Sequence, residues 1–211
     1  MNIFKMANGE NGDFSELGLG WAIFRNDDGS TTKLSWEKLK LQENGEKYIY
    51  NSTKIADREI KTYAFSNCSS LIAIKIPNSI ENIDSYAFKI CENLTSVEIP
   101  DSVHNMNIGT FWGCGNLKSI VIPDSIDYIG YSTFGHCEKL SSITIPESVI
   151  KIEENAFYNC RKLTSIKIPD SIRVLSDHAF DYCDDLTLIT YKEHTFTTVY
   201  DFFCYYHRNH F

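Results

Sequence analysis

Three side chains near the C-terminal end have the types and spacing of a metal triad. Cys204, His207 and His210 form C-x-x-H-x-x-H. A thiolate and two imidazoles suit zinc, and His194 or Asp201 could supply a fourth ligand. H-x-x-H is weak by itself, and this one sits in an aromatic stretch, Tyr200, Phe202, Phe203, Tyr205, Tyr206 and Phe211, where histidines also serve as packing residues. The reading adopted is therefore no metal and no cofactor. The remaining histidines, His104, His136, His178 and His194, stand at unrelated offsets. No G-x-S-x-G, P-loop or G-x-G-x-x-G occurs, so no nucleophile or phosphate site is expected and the chain is not read as an enzyme.

The other cysteines fall on a ruler. Cys68, Cys91, Cys114, Cys137, Cys160 and Cys183 are separated by 23 residues each. Phe65, Phe88, Phe111, Phe134, Phe157 and Phe180 keep the same step, as do the leucines from Leu71 to Leu186 and all five prolines from Pro77 to Pro169. Several columns sharing one period mark a solenoid, in which a unit that cannot bury its apolar edge alone is covered by the next. Stacked one per coil, the cysteines come within disulfide reach of one another. Each follows a core Phe by three, and free cysteine behaves as a small buried hydrophobe, so a ladder of reduced thiols is expected. A row of identical cysteines does not converge tetrahedrally on one ion.

One unit, from Leu94, reads LTSVEIPDSVHNMNIGTFWGCGN. Alternation at Ser96-Val97-Glu98-Ile99 predicts a short strand with Val97 and Ile99 inward and Ser96 and Glu98 outward. Pro100 ends it, Pro-Asp-Ser is turn chemistry, and T-F-x-x-C is expected to bend or form a short helical turn. Five full units run from Leu71 to Asp185, with partial units on either side. The expected fold is a repeat solenoid, a leucine-rich-repeat-like, right-handed, β-rich coil with one short parallel strand per unit and capped at both ends. Its parts are a β-rich N-terminal cap over 1–47, the solenoid over 48–191 and an aromatic C-terminal cap over 192–211. Within the first part, Trp21–Arg25 and Thr31–Leu34 read as a hairpin around Asn26–Gly29, and Ser35–Leu41 as a further strand or short helix.

The units resemble the BspA-like (Treponema-type) leucine-rich repeat through I-P-x-S-[IV], A-F and C at fixed offsets over roughly 57–191. That resemblance implies the fold, and binding rather than catalysis: surface adhesins, host-interaction proteins and binding modules. The expected binding surface is the outward side of the strands, Ser96, Glu98, Ser119, Val121, Ser142, Thr144, Ser165 and Lys167, with a varied aromatic set at Trp112, Tyr131, Tyr158 and Tyr182. Asp101, Asp124, Glu147 and Asp170 form an acidic turn column, read as solvated.

The chain has 211 residues, 43% hydrophobic, with a formal net charge of −8. That balance argues against nucleic acid, which needs a basic surface. No run of eighteen apolar residues predicts a membrane span, and Met1–Glu10 lacks the apolar core of a leader. The expected partner is another protein, with self-association through the aromatic C-terminus as a further route. The expected location is intracellular, with the cell surface by an unseen route as the alternative.

Overall fold

The computed structural model describes Ile3–Met6, Trp21–Arg25, Thr31–Ser35, Tyr48–Tyr50 and residues 58–210 other than Ser70 and Pro77. The first four stretches are strands β1 (Ile3–Met6), β2 (Trp21–Arg25), β3 (Thr31–Ser35) and β4 (Tyr48–Tyr50). From there each coil contributes two strands and a run of turns. One wall carries β6 (Leu71–Lys75), β8 (Ser96–Glu98), β10 (Ser119–Val121), β12 (Ser142–Thr144), β14 (Ser165–Ile168) and β16 (Leu188–Tyr191). A second carries two-residue strands, β5 (Glu59–Ile60), β7 (Asn82–Ile83), β9 (Asn105–Met106), β11 (Tyr128–Ile129), β13 (Lys151–Ile152) and β15 (Val174–Leu175). The chain ends in β17 (His194–Phe196) and helix α1 (Val199–His210). The architecture is a parallel β-solenoid with the 23-residue step.

Pairing is parallel and column on column: Ala73 faces Ser96, Ser119 faces Ser142 and Ser165 faces Leu188. The second wall repeats this, with Asn82 facing Asn105 and Lys151 facing Val174. A one-residue slip would turn every inward Ile or Val to water, so the apolar column fixes register.

The repeat motif has a hydrogen-bonding reason at each position. In I-P-x-S-[IV], the residue after the serine closes a turn onto the proline carbonyl, as Val103 N does onto Pro100 O at 3.0 Å. The serine hydroxyl ties that turn to the preceding coil: Ser102 Oγ donates to Ile80 O at 2.7 Å and Ser171 Oγ to Val149 O at 2.8 Å. The T/A-F-x-x-C stretch forms successive β-turns instead of a helical turn. Cys68 N donates to Phe65 O within the coil, while Phe65 N and Asn67 N donate to Ala87 O and Lys89 O of the next. Alternate amides thus bond within and between coils, and turn residues four apart stand in the left-handed region, Tyr86 (φ 58) and Ile90 (φ 56) among them. Non-glycine residues reach that region at a cost of about 1–2 kcal/mol, offset here by the intercoil bonds.

The core is a set of stacked columns. Phe88, Phe111, Phe134 and Phe157 are fully buried, with successive ring centroids 5.3, 5.8 and 5.5 Å apart and nearly parallel. Leu94, Leu117, Leu140 and Leu163 are equally buried. Inward Val97 is buried and Ile99 half-buried, while Ser96 and Glu98 are exposed.

Both ends of the ladder are closed by antiparallel strands. β1 pairs with β6 through Phe4–Ile74 and Lys5–Ala73, and β4 pairs with the other edge of β1. β17 pairs with β16 through Thr190–Thr195. Strand edges left open template aggregation. Beyond β17, α1 buries Phe202, Phe203 and Tyr206 over the last coil, and the Phe203 ring extends the phenylalanine column 6.3 Å from Phe180. Tyr200, expected in this lid, is instead 76% exposed: it stands in the first turn of the helix, about 160° around it from Phe202. β2 and β3 pair antiparallel from Trp21–Ser35 to Arg25–Thr31. The expected turn Asn26–Gly29, the element over 36–41 and Phe211 lie outside the described residues.

Candidate binding surfaces

The outward strand positions form one continuous face. Ser96, Glu98, Ser119, Val121, Ser142, Thr144 and Lys167 are exposed and Ser165 half-buried. Val121 reaches 67% exposure. No side chain of Ser96, Ser119, Val121, Ser142, Thr144 or Ser165 bonds to another described residue. At the two ends, Lys75 pairs with Glu98, and Lys167 with Glu147 at 3.0 Å. The Lys167 ammonium holds the Glu147 carboxyl below its usual range, helped by the Asp170 backbone amide. The pattern follows from pleating: inward residues feed the core, so every second residue is left to water.

The aromatic set divides. Trp112 and Tyr158 are half-buried and join a ribbon along the turn wall, in which His136 sits 5.1 Å from Trp112 and 5.2 Å from Tyr158, and Tyr182 lies edge-on to Tyr158 at 5.0 Å. Lys89 Nζ lies 5.3 and 5.0 Å from the rings of Tyr86 and Trp112, an attraction worth about 0.5–1 kcal/mol at exposed sites. Tyr63 stacks on the outer face of Tyr86 at 5.2 Å. The two glycines beneath are explained by the same ribbon. A Cβ on Gly109 would fall 2.3 Å from Tyr86, and one on Gly135 2.9 Å from Trp112. Trp112 and Tyr158 are taken up by contacts with neighbouring coils, whereas Tyr182 at the end of the ribbon stays 62% exposed. Tyr131 stands in another row, 40% exposed, accepting a hydrogen bond from Asn155. Lys89 and His136 escape a reading by residue type alone; their offsets, one and two past the column phenylalanine, are the signal that places them in the ribbon.

The candidate metal triad is drawn to other tasks. His207 Nε2 meets Asp177 Oδ1 at 2.7 Å. His210 Nδ1 donates to the Tyr206 carbonyl at 2.9 Å, which leaves Nε2 to accept from the Tyr191 hydroxyl at 2.9 Å. Both contacts clamp α1 to the last coils. His194, the suggested fourth ligand, meets Tyr205 Oη, and at the start of α1 the Thr198 hydroxyl accepts from the Asp201 amide and donates to the Asp201 carboxylate. Among the described residues no group of three His, Cys, Asp or Glu side chains is placed to hold a metal ion.

The periodic cysteines are free and buried. From Cys91 onward each thiol donates to a phenylalanine carbonyl of the coil before it, Cys91 to Phe65 at 3.0 Å, Cys114 to Phe88 at 3.1 Å, Cys160 to Phe134 at 3.2 Å. The same carbonyl accepts the in-coil amide of the turn, so both its lone pairs are used. Burial pushes the Cys137 thiol up to about 12, and burial raises Cys114 and Cys160 as well. Such thiols are inert and structural; reactive cysteines are low in pKa and accessible. In the acidic turn column, Glu147 accepts from the Asp170 amide and Asp170 from the Lys192 amide, while Asp101 and Asp124 face water. No helix among the described residues is long and apolar enough to cross a membrane.

Comparison with known proteins agrees with this geometry. The BspA type leucine rich repeat region matches in six copies over residues 58–187. Among solved structures, a T. pallidum leucine rich repeat protein is 32% identical, TM-score 0.61, over 64% of each chain. A leucine rich cell surface protein of Faecalibacterium prausnitzii is 37% identical, TM-score 0.57, over 58% of this chain and 32% of its own. A Bacteroides ovatus leucine-rich repeat protein is 25% identical, TM-score 0.55, over 82% of this chain and 52% of its own. The chain thus spans from a third to about two thirds of the length of these relatives. No curated protein matches it. Repeats of this kind serve in protein interaction and are typically non-enzymatic. With six matched copies covering well over half its length, the chain belongs to the BspA type leucine-rich repeat family.

Proposed function

We propose that the chain is a non-catalytic interaction module that binds another protein across the strand face, with Ser119, Val121, Ser142 and Thr144 at the centre and Ser96, Glu98, Ser165 and Lys167 around them. One contrast carries this reading. Trp112 and Tyr158 of the turn wall are half-buried against their neighbours, whereas the exposed central strand side chains bond to no other described residue. Repeat proteins bind along such extended rigid surfaces, and a platform fixed by two backbone ladders loses little entropy on binding. The strands and helix outside the repeats, in 1–47 and 192–211, serve as end closures in this reading.

A second reading, that the protein acts at a cell surface as an adhesin or host-interaction protein, is favoured by one observation: the F. prausnitzii relative is described as a cell surface protein. The binding surface would be the same.

The test compares three baits in the source cell: the wild type, Ser119→Arg/Thr144→Arg and Tyr182→Ala. A partner bound by the wild type and by Tyr182→Ala but lost from the double variant supports the strand face. A partner retained by the double variant and lost from Tyr182→Ala transfers the function to the turn wall.

A further inference from the structure

At the three central coils the strand face is flanked by charge of opposite sign. On the side entering the strands stand exposed Lys118, Lys139 and Lys162, with Glu138 beside Lys139 and Lys162 paired with Asp185 at 3.0 Å; on the side leaving them stand exposed Asp124, Glu147 and Asp170, with Glu147 paired with Lys167. Each pair belongs to one coil level, because each lysine precedes and each acid follows the same strand, β10, β12 or β14. Among the described residues the side chains of Lys118 and Asp124 have no hydrogen-bonding or ionic partner. Lys139 reaches only the Asn116 amide oxygen, at 2.7 Å. Between the flanks the face is also asymmetric in size. A column of small side chains, Ala73, Ser96, Ser119, Ser142 and Ser165, runs beside one of larger side chains that includes Val121 and Lys167.

We propose that this face pairs with the same face of a second copy of the chain, coil on coil, about a two-fold axis running along the solenoid. The proposal rests on the reading that the strand face is the binding surface, and it names a partner. The geometry follows from the charges of the three central coils. A two-fold along the solenoid axis reverses the strand direction and keeps coil level, so Lys118 comes to lie over Asp124 of the second copy, Lys139 over its Glu147 and Lys162 over its Asp170. Each contact occurs twice, as an isologous interface requires. The same operation lays the small column over the large one, so Ser119 receives Val121 and Ser142 receives Thr144. A two-fold along the strands would instead set acid on acid and lysine on lysine, and like charges across an interface cost several kcal/mol. Coil-on-coil pairing lets several coils meet at the roughly 10 Å separation of packed sheets. With strands about 13 Å long and about 4.8 Å apart, six coils present only a few hundred Å² a side. That is the small, reversible end of protein interfaces, and rim charges make it salt-sensitive. A second copy and a foreign partner compete for one surface, so self-pairing holds the binding face covered at high concentration.

The test is sedimentation equilibrium of the full chain from about 5 to about 300 µM, the range in which small interfaces form, at low and at high salt. The expected result is a mass rising towards twice the monomer in low salt, with the dissociation constant at least tenfold weaker in high salt. Lys118→Glu/Lys139→Glu carries acid on both flanks, and Asp124→Lys/Glu147→Lys carries base on both. Each should sediment as a monomer, and an equimolar mixture of the two should recover the dimer. Circular dichroism confirms that each variant is folded, with Asp124→Lys alone replacing its double variant should that fail. A wild type that stays monomeric at the top concentration in low salt overturns the proposal, as does a dimer whose strength neither variant changes. Monomer with strand-face binding of a foreign partner removes this inference and leaves the proposed function standing. Dimer with a foreign partner bound elsewhere does the reverse.

Discussion

The thiol column makes the fold sensitive to alkali. Cys68, Cys91, Cys114, Cys137 and Cys160 all have raised pKa values: hydrogen bonding to the next thiol leads for Cys68 and Cys91, and burial for the other three. In the unfolded chain a cysteine ionises near ~8.5. The folded state keeps the neutral thiol, so these five groups favour the fold fully below that value. Stability is lost as pH rises above it, since only the unfolded chain can release the protons. Each thiol then costs about 1.4 kcal/mol per pH unit, or roughly 2 kcal/mol at pH 10. Five together cost on the order of 10 kcal/mol, comparable to the whole stability of an ordinary domain, about 5–15 kcal/mol. The assay is urea unfolding followed by circular dichroism from pH 7 to pH 10 with a reductant present. The midpoint should hold level to about pH 8.5 and then fall steeply, approaching five protons released per chain. Cys137→Ala should lower that slope by about one proton. A midpoint level from pH 8.5 to pH 10 would refute the buried thiol column.

Other consequences are simpler to read. Phe134→Ala, in mid-column between Phe111 and Phe157, should lose about 3–5 kcal/mol in urea unfolding; a negligible change would remove the phenylalanine column from the core. Gly109→Ala should lose about 1–3 kcal/mol through overpacking against Tyr86 and strain at a positive φ, and less in a Tyr86→Ala background; an unchanged loss there would deny the ring contact. In the native protein a thiol reagent should modify Cys204, the one cysteine not fully buried, and leave the column untouched. After unfolding without reductant it should count all seven cysteines; a native count near seven would mean the column is open to solvent. His207→Ala should weaken docking of α1 without altering bound metal, since its ring meets Asp177; loss of a stoichiometric zinc ion would reinstate the metal reading.

The repeat wall was legible because each column answers to one physical demand that recurs every 23 residues. Inward Val97, Ile120 and Ile166 and outward Ser96, Ser119 and Lys167 follow from alternation alone. The second ladder was not, because pairs such as Asn105–Met106 are too short to show a period of two. Neither was the antiparallel closure of β6 by β1, which lies outside the period and pairs with a segment some seventy residues on. Helix α1 had a readable start, Thr198-x-x-Asp201, and an apolar spacing at Phe202 and Tyr206. The cysteine and histidines of the same stretch suggest ligands, but they stand on a helix whose contacts turn His207 towards Asp177 and His210 towards Tyr191. In the aromatic set, residue type pointed to contact surface, whereas Gly109 and Gly135 beneath the rings mark close packing between coils.

The strand face as the binding surface is tested most directly by a fluorescent label on Thr144→Cys in a Cys204→Ser background, read against the same label on Tyr182→Cys at the turn wall. Titration with the captured partner should shift the emission of the label at 144 and leave that at 182 unchanged. A response confined to 182 would contradict the account.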